Sequence, residues 1–233
     1  KTRGATMAGV PMFAFLAAYT AIGMGLPMWW HYQTHGVVNA MQAALAFFLP
    51  LNAIVCLWEM SLGKEISLIE QKHRLYKDKF KGRSLAVVLQ FFTLDVHLGN
   101  LFDSRLWAEV WASYSVYDPS YADRRSFGFF VDVGNGYSTL VPTLFFLYSM
   151  TQPLCSARTT GIVGLLSFYQ EFYGTVIYFL SFVMNKRYKN RPLYEVLIFV
   201  CFTNGLWFVF PLLGMYASLD MVYSDSFAVV GGV

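Results

Sequence analysis

The chain reads as an all-α, polytopic helical bundle in a membrane, with five transmembrane helices and one interfacial helix. Three observations predict this class. Of the 233 residues, 56% are hydrophobic and only 13% charged, whereas soluble domains carry about a quarter charged residues. Five stretches reach the roughly 20 mostly apolar residues that a bilayer crossing needs. The strand-like alternation of a membrane barrel is absent from the sequence. The reading is of one membrane domain, 1–233, interrupted by a charged insertion at 63–106.

The first span covers about 7–30 and ends on Trp29 and Trp30, side chains suited to the headgroup level. The second covers about 37–62, "VVNAMQAALAFFLPLNAIVCLWEMSL". The segment 63–83 that follows is rich in Lys and Glu and reads as a solvated helical extension of the second span, with an anionic-lipid contact as the alternative. The third span is about 127–150, the fourth about 161–183 and the fifth about 193–219. Lys1 stands where an initiator Met is expected, which fits a processed or trimmed chain.

A sixth apolar stretch, 85–102, contains Asp95 and His97. Lys and Arg concentrate on the cytoplasmic side of a membrane, and their placement decides its role. With five spans, sixteen of the 17 Lys/Arg fall on one side and Arg158 alone on the other; a sixth span would divide them 10 to 7. The stretch therefore reads as an interfacial or re-entrant helix, and the N-terminus as cytoplasmic, stromal or matrix-facing.

Ionisable residues at membrane depth are costly and usually face the bundle interior. Glu59, Asp132 and Glu171 are the three carboxylates placed there. Asp132, Asn135 and Thr139 share one face of the third span at helical spacing. Glu171 lies midway along the fourth span, beside Gln170 and Tyr173. In the fifth span, Asn204 and Trp207 sit one turn apart in the apolar run "IFVCFTNGLWFVFPLLG", with Pro211 beyond them. These groups outnumber what simple interhelical hydrogen bonding requires, and they point to an intramembrane site for an amphipathic small molecule.

The sequence holds no phosphate-binding glycine loop, no H-E-x-x-H and no G-x-S-x-G. Cys56, Cys155 and Cys201 form no disulfide or zinc framework. His31 and His35 are an i, i+4 pair without a nearby third ligand and read as interfacial histidines rather than a metal site. No cofactor and no nucleic-acid partner is expected.

Two stretches carry a resemblance. "QEFYGTVIYFL" and "RPLYEVLIFVCFTNGLWFVFPLLGMYASLDMV" are similar to the last two helices of the emopamil-binding protein (EXPERA-domain) family, which includes the sterol Δ8–Δ7 isomerase. The matching residues are Tyr173, Gly174, Tyr178 and Phe179, then Pro192, Leu193 and Tyr194, then Asn204, Trp207 and Pro211. "LWAEVWASYSVYDPSYADRRSFGFFVDV" resembles the loop into the family's third helix. The resemblance spans about 107–222 and implies a five-helix fold with a sterol-like or other lipidic ligand. It implies Asp132 as an acid and Asn204, Trp207 and Tyr173 around the ligand, to which the reading of the spans adds Glu59 as a second acid–base group and Asn135 and Glu171 at the ligand site. It also implies an endoplasmic reticulum location.

The chain departs from the family on the second span, which lacks the expected histidine and offers Glu59 with Asn52 two turns earlier on the same face. Thr175 stands where the family has an aspartate, and 63–106 has no counterpart. Two readings therefore stand: a ligand-binding protein of this type with a degraded isomerase signature, or a non-catalytic subunit of a photosynthetic or respiratory membrane complex, with protein partners and lipid or pigment contacts.

Overall fold

The computed structural model describes residues 9–189 and 191–232. Met7 and Ala8, which open the expected first span, and the basic residues Lys1 and Arg3 lie outside the described residues. The helices are α1 (Met12–His35), α2 (Ala40–Lys64), α3 (Ile66–Lys79), α4 (Ser84–Phe92), α5 (Ser104–Tyr114), α6 (Phe127–Ser149) and α7 (Ala157–Met184). A short helical turn α8 (Leu193–Glu195) then leads through a π-helical run, Val196–Phe202, into α9 (Thr203–Ser224). Two-residue strands β1 (Val10–Pro11) and β2 (Asp95–Val96) pair antiparallel, with Val10 opposite Val96. The protein is all-α in class.

Three helical runs are long and apolar enough to cross a membrane: Met12–His35, Ala40–Lys64 and Leu193–Ser224. They differ in environment. Of the most apolar window of α2, 56% is buried inside the protein, against 6% for α1. α2 is thus the central helix, and α1 offers Ile22, Leu26 and Trp29 to its surroundings.

Several boundaries differ from the sequence reading. α1 continues past the Trp pair to His35 and stops at Gly36, whose φ of +72° suits a residue without Cβ. The charged segment is helical, and only Glu65 separates α2 from its helix, α3, with backbone hydrogen bonds from Glu65 to Ser61 and from Ile69 to Glu65 carried across the break. The stretch 85–102 is not one helix. It is α4, then β2, then a 3-10 turn at Leu98–Asn100. Thr93 ends α4, and the β2 backbone is drawn out to pair with β1.

The chain forms two compact units. One takes Ser61–Phe129 together with the chain up to Tyr19; the other takes Thr20–Met60 and Phe130 onward. The chain passes between them within α1, α2 and α6. In the first unit, α3 buries Ile66 and Ile69, and α5 buries Trp107, Ala108, Trp111 and Ala112. Phe15 packs on Trp107 at 5.9 Å, and Tyr121 closes on Trp111 at 4.9 Å between centroids. Asp103 caps α5 by accepting from the Arg105 amide at 2.9 Å.

In the second unit, the apolar core joins Leu45, Phe48 and Leu49 of α2 to Phe146 of α6, Phe168 of α7, and Ala217 and Met221 of α9. α7 and α9 pack antiparallel at small residues. A Cβ on Gly161 would lie 2.5 Å from the Ser218 carbonyl oxygen, and one on Gly214 would lie 2.6 Å from the Phe168 ring. Small residues at such crossings are the usual solution where no hydrophobic drive separates helix from lipid. The pair is tied off where Asp225, the left-handed residue after α9, accepts from the Arg158 amide in the first turn of α7 at 2.9 Å.

Candidate functional site

Three helices of the second unit each turn a face with alternating spacings of three and four residues to its interior. On α2 this face carries Leu45, Leu49, Asn52, Cys56 and Glu59, all buried. On α6 it runs through Gly136, Thr139, Thr143 and Phe146. On α7 it includes Gly164, Phe168, Glu171 and Thr175. This period is the seam of left-handed helix packing. Polar side chains on the seam are therefore forced to find one another.

Asn52 is where they meet. Its side-chain amide donates to Thr143 Oγ1 at 2.9 Å and to Glu171 Oε1 at 2.7 Å. Its Oδ1 accepts from Trp207 Nε1 at 2.7 Å. One side chain so links α2, α6, α7 and α9, with both of its N–H donors and its carbonyl used. Trp207 is set by packing: its ring meets Phe48 edge-on at 5.8 Å, and Phe48 stacks on Phe210 at 5.3 Å. Glu171 is 2% exposed, and its second oxygen, Oε2, has no hydrogen-bond partner. Ser167, one turn earlier on α7, brings its hydroxyl close to the carboxylate as a further donor.

A second polar layer lies toward the α2 C-terminus. Gly136 lets the α6 backbone come down on α2, where a Cβ would sit 2.7 Å from the Cys56 carbonyl oxygen and 2.7 Å from Glu59 Cβ. The close approach places Asp132, one turn before Gly136, within electrostatic range of Glu59, as Glu171 also is. The Thr139 hydroxyl donates to the Asn135 carbonyl at 2.9 Å, so the Cys56 thiol, 3.2 Å away, is the donor to Thr139 Oγ1. Gln170 donates to Asn135 Oδ1 at 2.9 Å and to Ser138 Oγ.

The structure thus brings together Glu59, Asp132 and Glu171, with Trp207 and Asn52 beside Glu171 and Asn135 bonded to Gln170. It does not bring Tyr173 to this group. Tyr173 is half exposed and stacks on Tyr169 at 6.0 Å. The side chain of Asn204 turns back on its own helix, where Nδ2 donates to the Val200 carbonyl at 2.8 Å. That carbonyl belongs to the π-helical run and also receives the Thr203 amide. Asn204 therefore secures the helix where the wider turn gives way to α9. Such π turns recur at functional sites.

The sequence reading named Asn52 only as a neighbour of Glu59 and passed over Thr143 and Cys56. The signal was present, because residues 52, 56 and 59 repeat at the seam spacing. The structure adds detail at His31. It is fully buried, with Nδ1 3.2 Å from Thr151 Oγ1, while His35 Nε2 donates to the Thr151 carbonyl at 2.9 Å. Because α1 continues through both residues, the i, i+4 pair presents one face to the turn after α6.

Chemically, the site offers a carboxylate with a free oxygen, an indole, a thiol and two further acids, surrounded by aliphatic and aromatic side chains. Among the described residues, no three His, Cys, Asp or Glu side chains converge closely enough to hold a metal ion. No family model matches the chain, and no curated protein or solved structure is significantly similar to it.

Proposed function

We propose that the chain is an integral membrane protein of emopamil-binding type, whose second unit binds a sterol-like or other lipidic ligand within the bilayer. In this reading α6 and α7 also cross the membrane, giving five spans, and the segment 63–126, which holds ten of the 17 Lys and Arg, lies on the cytoplasmic, stromal or matrix side. The observation that carries the proposal is Glu171, a buried carboxyl group with one oxygen held by Asn52, the Ser167 hydroxyl close by, and no hydrogen-bond partner at Oε2. Buried polar groups are rarely left without a partner, and a ligand hydroxyl or amine would complete this one. Glu171 and the neighbouring Glu59–Asp132 pair are the groups through which any proton-transfer chemistry would run. The second span supplies an amide, Asn52, at the centre of the site, so binding is the primary activity proposed.

The test is extraction of the protein purified in mild detergent. A stoichiometric sterol-like or other lipidic molecule should be recovered. Glu171→Gln should retain the fold and lower its recovery about tenfold. Empty extracts, or loading indifferent to Glu171→Gln, would refute the reading. A second reading, a subunit of a larger membrane complex, is favoured by α1, which has apolar side chains on nearly every face and only 6% of its window buried. Native electrophoresis separates the two, because a subunit migrates with its complex and a self-sufficient binder migrates alone.

A further inference from the structure

The first unit carries a surface that the intramembrane site does not use. α4 buries Val87 and Phe91 on one face. The opposite face, at spacings of four and three, holds Leu85, Leu89 and Phe92, exposed by 43%, 58% and 37%. Water normally selects polar side chains for such a stripe. In the loop that follows, beyond the exposed Asp95, Leu98 is 76% and Phe102 98% exposed. Large apolar side chains left exposed in such number within one short segment mark a contact with something.

Charge indicates what that something is. Between Arg74 and Arg105 the chain holds six Lys/Arg and three Asp, and Lys81 and Arg83 lie exposed in the turn immediately before the apolar stripe. Lys79 is already engaged, with its ammonium 3.1 Å from Gln90 Oε1 and 4.8 Å from the centre of the Phe80 ring. Arg83 donates one guanidinium N–H to the Lys79 carbonyl at 3.3 Å, which leaves its charge and that of exposed Lys81 facing outward for an anion. An apolar ridge edged by basic residues is the pattern of a segment seated at the headgroup level of an anionic leaflet. The chain of this unit is continuous with α1 and α2, two of the helices apolar enough to span a bilayer.

We infer that α4 and the following loop to Phe102 form a docking surface for anionic phospholipid. Leu85, Leu89, Phe92, Leu98 and Phe102 enter the acyl boundary, and Lys81 and Arg83 meet the headgroups. This surface is independent of the ligand site. The test places the full chain in lipid nanodiscs carrying either a phosphatidylglycerol or a phosphatidylcholine probe, each with a photoreactive group near the glycerol backbone. Adducts are then mapped by mass spectrometry, with labelling of α1 as the control for folding and insertion. The expected result is labelling of 84–102 at least about tenfold stronger with phosphatidylglycerol, and loss of that preference in a Lys81→Glu, Arg83→Glu double variant whose α1 labelling is unchanged. Absence of adducts at 84–102 with both probes, as a protein partner or open solvent would give, overturns the inference. Equal labelling by the two probes also overturns it.

Discussion

In the first unit, the side chains that reach between helices are charged and partly wet. Lys72 pairs with Glu109, whose other oxygen accepts from Tyr76 at 2.8 Å. Arg124 grips both oxygens of Glu70 at 2.9 and 3.0 Å and holds that carboxyl below the usual carboxylate range. In the second unit, the equivalent work falls to Asn52, Thr143, Trp207 and Gln170, and helices close on one another at glycines. The contrast follows from solvent. Where water screens charge, ion pairs are tolerated and contribute little. Where lipid surrounds the helices, neutral donors and close backbone approach do the joining. The same contrast divides the two proposals: the ligand site rests on buried Glu171 of the second unit, and the lipid-docking surface on the exposed apolar and basic side chains of the first.

The strongest test of that contrast is steric. Gly161→Leu would drive a side chain into the Ser218 backbone, which cannot rotate away. Overpacking typically costs about 1–3 kcal/mol and more where backbone must move, so separation of α7 from α9 and loss of a cooperative melt in detergent are expected. Amide protection of α3 and α5, in the first unit, should survive. Joint loss of both would show that the two units do not stand independently.

Next in size is Asn52→Leu, which strips partners from Thr143, Glu171 and Trp207 at once. Interhelical hydrogen bonds in membranes average about 0.6 kcal/mol, so three amount to roughly 2 kcal/mol. Trp207→Phe removes one bond and should cost about a third as much, with the Phe48 contact largely kept. In a double-mutant cycle the two changes should be clearly non-additive. Additive effects would mean that the indole and the amide are neighbours without being partners.

These residues also show what could be read before the fold was known. α2, α6 and α7 and the run from Leu193 were legible from hydropathy. Glu171 was legible because a carboxyl in an apolar run is too costly to stand there facing lipid. The central place of Asn52 was legible only as a seam position two turns before Glu59, since one amide after Pro50 carries no charge to draw notice. Tyr173 was grouped with Glu171 although residues two apart on a helix point about 200° from each other, and only Glu171 lies on the seam. The orientation of Asn204 was hidden for another reason. The π-helical run Val196–Phe202 changes the register of everything before it relative to α9, and hydropathy is blind to an added residue per turn.

The smallest expected effect concerns pH and belongs to the wet unit alone. His73 on α3 has Nδ1 2.9 Å from Ser115 Oγ, and the Ser115 hydroxyl donates to the Ala112 carbonyl at 2.8 Å, so His73 is the donor. Burial lowers the His73 pKa below its ordinary 6.5, and Lys77 and Arg74 on the same helix lower it further. Above pH 6.5 the imidazole is neutral in both folded and unfolded chains and contributes no slope. As pH falls through 6.5 the unfolded chain takes up the proton first, so the first unit loses stability until the lower, folded pKa is passed. Protection factors of the α3 and α5 amides, taken against the intrinsic exchange rate at each pH, should therefore fall between neutral and mildly acidic pH, and His73→Gln should flatten that response. Amides of α7 and α9 in the second unit should show no dependence on that substitution. A slope that survives His73→Gln would assign the response to other groups and remove His73 from the account.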